Sequence, residues 1–329
     1  MAILVTGGAG YIGSHMVWRL LEAGEKVVVA DRLSTGFNWA VAPEATLEVG
    51  DIGDMAFLDQ LLAKHDIEAV IHFAGSVVVP DSVAEPLTYY DNNTVKSRLL
   101  IERAVMGKID KFIFSSTAAV YGNVSSEPVT ETAALVPESP YGRSKLMTEW
   151  MLKDAAAAHD FRFTALRYFN VSGADPLGRT GQSTKGATHL LKVACETAVG
   201  KRRSMQVFGT DYPTPDGTCV RDYIHVSDLV DAHYLALNRL REGGDSLIAN
   251  CGYGRGFSVL DVINTVKKVA GKDFDVEFGP RRAGDAISVV ANADRARSEF
   301  GWVPAHDNLE LIVRTALDWE MSLKFKNIA

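Results

Sequence analysis

The sequence predicts an α/β protein, a doubly wound parallel sheet followed by a smaller, irregular α/β part, on three observations. The first half alternates short, continuously apolar segments with stretches of helical periodicity. A glycine-rich turn, VTGGAGYIG, stands between the first such segment and the first helical stretch. The second half drops the alternation and is rich in Gly, Pro, Thr and Asp. Continuous apolar strands separated by helices are the pattern of a parallel sheet covered on both faces.

Taken in order, strands are expected at AILVT (2–6), KVVVAD (26–31), TLEVG (46–50), AVIHFAG (69–75), KFIFSS (111–116) and FTALRYFN (163–170). Helices are expected between them near 11–23, 54–65, 86–106 and 139–158. Beyond 170 the periodic stretches are THLLKVACETAVG, a helix starting near Ser227, a strand at SLIANCG, a helix at SVLDVINTVKKVAG and a last helix over about 308–324. The expected division is a dinucleotide-binding domain over 1–170, to which 224–251 returns, and a substrate-binding domain from 171–223 and 252–329. The second part is expected to cover a pocket rather than to fold alone.

Composition narrows the functions open to such a fold. The 329 residues are 47% hydrophobic and 23% charged, with a formal net charge of -7. An acidic chain does not suit a phosphate backbone, so no nucleic-acid partner is expected. The short run Lys201, Arg202, Arg203 reads as a solvated helix end. Cys195, Cys219 and Cys251 are odd in number and widely spaced, which argues against a disulfide framework and zinc spacings. The eight histidines include no HExxH, so no metal is expected. No apolar run approaches bilayer length, and MAILVTGGAGYIGSH does not read as a signal peptide, so the expectation is a cytoplasmic protein without a membrane partner. Asn92, Asn123 and Asn170, in N-x-S/T matches, then carry no glycosylation meaning.

Gly7, Gly10 and Gly13 follow the first strand directly and open the first helix. Glycines there allow a tight turn and let a phosphate approach the backbone at a helix N-terminus, where N–H groups and the dipole favour anions. Asp31, at the end of the second strand and 18 residues beyond Gly13, is placed to accept from ribose hydroxyls. Strand, turn, helix and acid together point to a Rossmann-type site. A carboxylate at Asp31 repels a 2′-phosphate and so favours NAD over NADP, although Arg32 beside it pulls the other way.

SPYGRSK (139–145) puts Tyr141 and Lys145 four residues apart, on one face of a helix that Ser139 caps and Pro140 opens. An ammonium near a phenol favours the phenolate and could make it a general base near neutral pH. Alone, the pair also fits an ordinary exposed helix face.

The spacing GxxGxxG together with YxxxK at 141–145 resembles the extended short-chain dehydrogenase/reductase family, over nearly the whole chain. Its other markers are GDIGD (50–54), HFAG (72–75), YYDNN (89–93), STAAVYG (116–122), RYFN (167–170) and VRDYIHVSDL (220–229). Within that family the set is most similar to enzymes that invert C4 of a UDP-hexose, passing through a 4-ketose with tightly bound NAD. The resemblance implies Tyr141 as acid/base, Lys145 holding the nicotinamide ribose and lowering the tyrosine pKa, and Thr117 bonding the sugar hydroxyl. It implies NAD contacts at Gly7, Gly10, Tyr11, Ile12, Gly13, Asp31, Asp51, Ile52, Phe73, Ala74, Gly75, Asn92, Tyr141, Lys145 and Phe169. Substrate contacts are implied at Thr117, Tyr141, Asn170, His189, Leu190, Val207, Phe208, Arg221, Arg282, Asp285 and Val289. Phe73 reads equally as sheet core. A homodimer through the helices near 86–106 and 139–158 is also implied.

Relatives that dehydrate nucleotide sugars carry an Asp-Glu pair where this chain has Ala118 and Ala119, so the implied chemistry stops at reversible oxidation. Thr117 stands where many members have Ser, Val77 where a lysine is frequent, and His189 where an Asn is frequent. At Val289 a large Tyr in other members excludes N-acetyl sugars, and a small residue tends to admit them. Two other readings stay open: a 4-epimerase for another UDP-sugar (an N-acetyl sugar or a uronate), and a dinucleotide sensor without catalysis. Retention of Tyr141, Lys145 and Thr117 speaks against the sensor.

Overall fold

The computed structural model describes residues 1–124, 128–282 and 286–326. Among them, seven all-parallel strands form the central sheet: β1 (Ala2–Thr6), β2 (Val27–Asp31), β3 (Thr46–Val49), β4 (Ile67–His72), β5 (Lys111–Ser115), β6 (Arg162–Tyr168) and β10 (Leu247–Cys251). Their order is β3-β2-β1-β4-β5-β6-β10. The winding reverses between β1 and β4, which opens a crevice at the carboxyl ends of those strands. The Rossmann-type fold is therefore present.

Its helices are α1 (Tyr11–Glu22), α2 (Met55–Lys64), α3 (Val79–Ala84), α4 (Pro86–Tyr89), α5 (Lys96–Met106), α6 (Pro140–Ala158) and, later in the chain, α8 (Val226–Arg241). Both faces of each central strand are buried. Ile3 and Val5 of β1 join an apolar cluster with Met16, Val17 and Leu20 of α1 and Leu229 of α8. Leu4 points into a second cluster with Leu58 of α2, Leu100 of α5 and Leu152 of α6. A half-polar alternation could not serve a strand sealed on both sides.

Two departures from the sequence reading bear on the site. The helix expected over 86–106 is interrupted by a π-helical segment, Tyr90–Val95, between α4 and α5. Strands β4 and β6 also end short of the expected 75 and 170, because the chain leaves the sheet at its carboxyl edge. There Phe73 N–H still bonds the Thr6 carbonyl at 3.0 Å.

The second half contains more regular structure than its composition suggests. Strands β7 (Asn170–Ser172), β9 (Val220–His225), β11 (Gly256–Ser258) and β13 (Ser288–Val289) make a four-stranded sheet around β9. Strands β8 (Ser204–Phe208) and β12 (Asp275–Gly279) pair in parallel. Around them pack α7 (Leu190–Ala198), α9 (Val259–Ala270), α10 (Asp294–Phe300) and α11 (Leu309–Lys326). Among the described residues no helix is long and apolar enough to cross a membrane.

Four histidines are sealed in this interior: His15, His72, His225 and His233. Burial, which penalises the charged ring, lowers them to about 4, 3, 3 and 4 respectively. Their folded pKa values lie below the unfolded value, so the stability they contribute is present above about pH 6.5 and is lost as pH falls toward 3–4. Each proton taken up on unfolding steepens the loss by about 1.4 kcal/mol per pH unit. Urea unfolding followed between pH 7 and pH 5 should therefore show a steady fall in stability with net proton uptake. A flat profile over that range would mean that the rings are charged in the native protein.

Candidate active site

Helix α6 starts where Ser139 accepts from Gly142 N–H at 3.2 Å and Pro140 fills the first turn, as the sequence predicts. Tyr141 and Lys145 share a buried face, 8% and 3% exposed, so the bland reading of an exposed pair fails. The Lys145 ammonium donates to the Ser115 carbonyl at 3.0 Å and sits 5.0 Å from the centre of the Phe114 ring. Burial lowers it to about 8, which still leaves it charged at neutral pH. Thr117, just past β5, accepts from Ala119 N–H at 3.1 Å, and its hydroxyl favours the ionised form of the Tyr141 phenol.

The Tyr141 phenol itself departs from the expectation of a lowered pKa. Burial pushes it above its ordinary value, the Thr117 hydrogen bond draws it part of the way back, and nearby Tyr89 adds to the rise. The difference comes chiefly from desolvation of the phenolate, which is large at this depth of burial.

Behind the pair lies a relay that the sequence reading missed. Ser97 donates to the Asn93 carbonyl at 2.6 Å, so its oxygen accepts from His72 Nε2–H at 2.8 Å. The other ring nitrogen, Nδ1, accepts from the Thr6 hydroxyl at 2.6 Å. His72 is thus a neutral ring of fixed tautomer linking β1, β4 and α5. Asn93, from the π-helical segment, accepts from Ser76 N–H at 2.7 Å and donates to the Ser76 carbonyl (2.9 Å) and to Ser144 of α6 (3.1 Å). Asn92 donates to the Ser76 hydroxyl at 2.9 Å. The loop after β4 is therefore pinned to the helix that carries Tyr141. The signal was present in the quoted motifs, in the His of HFAG and the second Asn of YYDNN.

The glycine turn is as close as the sequence requires. Gly7 has φ +72°, and a Cβ there would lie 2.7 Å from Ala74 N; a Cβ on Gly13 would lie 2.2 Å from the Gly7 carbonyl oxygen. Asp31 accepts from Ala9 N–H at 3.0 Å and from Leu33 N–H at 2.8 Å, holding Leu33 at φ 59°. Arg32 is engaged by Ser34 (3.1 Å) and the Asp51 carboxylate (3.2 Å) rather than left for a 2′-phosphate. Burial pushes the Asp51 carboxyl up, but hydrogen bonds from Lys96 and Gly53 N–H bring it below its ordinary value. A side-chain-free cradle at a helix start, with a carboxylate at the end of β2, fits the phosphates and ribose of a dinucleotide.

Several expected contacts must be recast. The side chains of Ile12 and Phe73 pack on the first core cluster and that of Ile52 in the second, so these residues offer a cofactor backbone rather than side chain. Phe73 lies 4.9 Å from the His233 ring. The Tyr11 hydroxyl donates to the Gly173 carbonyl at 2.6 Å. Ala74 and Gly75 line the loop against Gly7 and Lys145, and Phe169 is buried beside Val120 and Leu146. On the substrate side, Asn170 (β7) donates to the Asp222 carbonyl at 3.4 Å, and Arg221 (β9) pairs in register with Val289 (β13). Val289 packs on the cluster of Val120, Tyr121, Leu146 and Phe169, as does Ala118. Leu190 begins α7, and His189 before it is exposed, its Nδ1 3.0 Å from Gln182. Val207 is core, 1% exposed, and cannot present its side chain to a ligand. Its neighbour Phe208 carries the Arg282 guanidinium 3.8 Å above its ring. Asp285 lies outside the described residues.

Residues 3–252 match the NAD dependent epimerase/dehydratase family. A UDP-glucose 4-epimerase of Azospirillum brasilense is 57% identical, over 98% of this chain and 92% of that protein. One from Lacticaseibacillus casei is 46% identical, over 97% of this chain and 96% of that protein. Among solved structures, the UDP-glucose 4-epimerase from Brucella ovis in complex with NAD has a TM-score of 0.94 and 42% identity, covering 96% of this chain and 97% of that one. The UDP-Glc/GlcNAc 4-epimerase of Campylobacter jejuni has a TM-score of 0.86 and 46% identity, covering 98% and 99%.

Gly13→Ala tests the cradle. The added Cβ must force α1 away from the turn, at a cost of about 1–3 kcal/mol, or roughly tenfold or more in dinucleotide affinity. Calorimetric titration with NAD should show that loss. Undiminished binding by a folded variant would mean that the dinucleotide lies elsewhere.

Proposed function

The chain belongs to the NAD dependent epimerase/dehydratase family, and we propose that it inverts C4 of UDP-hexoses, interconverting UDP-glucose and UDP-galactose. It is an NAD-dependent isomerase. The observation that carries the reading is the buried Tyr141 phenol bonded by Thr117, with Lys145 one turn on, beside a segment whose next residues are Ala118 and Ala119. Proton transfer is provided for; the carboxylates that would eliminate water are not.

Tyr141 takes the C4-hydroxyl proton and later returns it. Thr117, its own oxygen already accepting from Ala119 N–H, donates its hydroxyl toward the developing phenolate. Lys145, fixed by the Ser115 carbonyl, supplies a nearby positive charge. When bound, NAD would supply the acceptor and donor of the C4 hydrogen and a positive ring that favours the phenolate. Burial favours the protonated phenol, so positive charge beside Tyr141 favours the base. Gly7, Gly10 and Gly13 would cradle the cofactor phosphates and Asp31 its ribose. Arg221 and Arg282 would hold the substrate diphosphate, a role suited to the guanidinium fork, with Asn170 on the sugar and Leu190 and Phe208 on the uridine side. Residues 171–223 and 252–329 would form the substrate-binding side. A homodimer through α4–α5 and α6 is supported by the exposed Leu87, Val95 and Trp150, and a cytoplasmic location completes the reading.

Val289 favours a broader substrate range. It is a small side chain packed on the cluster that contains Phe169 and Val120 and that Ala118, the neighbour of Thr117, also packs against. An acetamido group on C2 would find room that a tyrosine would fill.

Two measurements decide these points. Tyr141→Phe removes the ionisable oxygen and should lower epimerisation by about 10²–10⁴-fold while fold and bound NAD are retained; an active variant would refute the role of Tyr141. Wild type should turn over UDP-N-acetylglucosamine as well as UDP-glucose, and Val289→Tyr should abolish only the former. Comparable slowing of both sugars in kcat/KM would show that Val289 does not wall the sugar pocket.

A further inference from the structure

Three consecutive residues at the end of β5 each meet one of three residues spaced by four along the buried face of α6. The Ser115 carbonyl accepts from Lys145 at 3.0 Å, the Thr117 hydroxyl acts on the Tyr141 phenol, and the Ser116 hydroxyl donates to Glu149 Oε1 at 2.5 Å. The first two contacts involve residues assigned to the reaction. The third involves Glu149, which is fully buried and has no assigned role.

Three hydrogen bonds engage that carboxylate, two at Oε1 and one at Oε2. Arg167, 1% exposed, clamps it with two bonds, Nε to Oε1 at 2.9 Å and Nη2 to Oε2 at 2.6 Å. The remaining guanidinium nitrogen donates to the Tyr121 hydroxyl at 3.1 Å, which donates on to Asn250 Oδ1 at 2.6 Å. A carboxylate this engaged is not a proton carrier. Nor is stability a sufficient reason for its presence, since a buried ion pair is often matched by apolar residues of the same volume. What the pair provides is a direction: it fixes one point of α6 to one residue of the strand end. Ser116 is held from the other side as well, its N–H bonding the Leu166 carbonyl at 2.9 Å. With both sides held, the next residue has little freedom, and that residue is Thr117.

We propose that Ser116 and Glu149 are positioning residues for proton transfer, their hydrogen bond holding the strand end so that the adjacent Thr117 hydroxyl stays beside the Tyr141 phenol. This deepens the reading of Tyr141 as the acid/base and rests on it. Loosening Ser116 lets the Thr117 hydroxyl shift, and its support of the phenolate weakens. The proton is then held more tightly, while the contacts to the substrate's diphosphate and uridine, which rest on other residues, are left alone.

The variant of choice is Ser116→Ala, because it leaves the Glu149–Arg167 pair intact, whereas replacing Glu149 strands a buried guanidinium and confounds lost activity with lost folding. Holoenzyme of wild type and Ser116→Ala is compared by the pH dependence of kcat and KM for UDP-glucose. In parallel, Tyr141 ionisation is followed by NMR of protein carrying ring-labelled tyrosine, the resonance assigned by its loss in Tyr141→Phe. The expected result is a kcat lower by about tenfold at neutral pH with KM unchanged, a rising limb of the pH profile displaced to higher pH, and a matching displacement of the Tyr141 titration. A lower melting temperature with unchanged kcat, pH limb and Tyr141 titration would overturn the proposal and leave Ser116 a packing residue. A displaced Tyr141 titration in a protein that does not epimerise UDP-glucose would uphold the positioning role and refute the proposed reaction.

Discussion

Charge is costly where this chain keeps its reactive groups. Tyr141, Lys145, His72 and Glu149 are all buried where the carboxyl edge of the sheet meets α6, and nearly everything notable about the site follows from that. A phenol there keeps its proton, an ammonium loosens its own, an imidazole stays neutral, and a carboxylate survives only under a bidentate guanidinium. The hydrogen bonds of this region answer the same demand. Thr6, Ser97, Asn93, Ser144 and Ser116 each satisfy a polar group that cannot reach water, and in doing so tie β1, β4, β5, α5 and α6 into one frame.

The fold brings these elements together without long detours. Reversal of the winding between β1 and β4 opens the crevice, and the π-helical segment before α5 presents two successive asparagines to the loop after β4. The frame also extends into the second half of the chain. From Arg167 it continues through Tyr121 to Asn250, whose amide donates to the carbonyls of Val129 and Asn292. Val129 N–H in turn bonds the Val290 carbonyl at 2.8 Å, next to the residue assigned to the sugar wall.

What could be read from the sequence was what depends on local spacing. The glycine turn, Asp31 at the end of β2 and the Tyr141–Lys145 face are set by intervals of a few residues, and the structure places them as those intervals require. What depends on partners far along the chain stayed hidden. The direction of the Tyr141 shift needed the depth of burial. Glu149 finds Arg167 eighteen residues on, and Asn250 finds Tyr121 from 129 residues away. Strands as short as Ser288–Val289 have too few residues for any period to show, and exist because β9 offers them an edge. Val207 and Phe208 are neighbours on β8, where successive side chains point to opposite faces, so only one of the two leaves the core, and the burial of Val207 shows that it is not Val207.

Asp31 bears on how the preference for an unphosphorylated dinucleotide could change. Its carboxylate fixes the amides of Ala9 and Leu33, so it braces the glycine turn and holds a non-glycine residue in left-handed backbone at the same time. Removing it to admit a phosphorylated ribose would free both amides. A lineage, or an engineer, moving this scaffold from one coenzyme to the other must therefore supply a neutral acceptor at position 31 in the same step. Coenzyme choice is inherited here together with the shape of the loop.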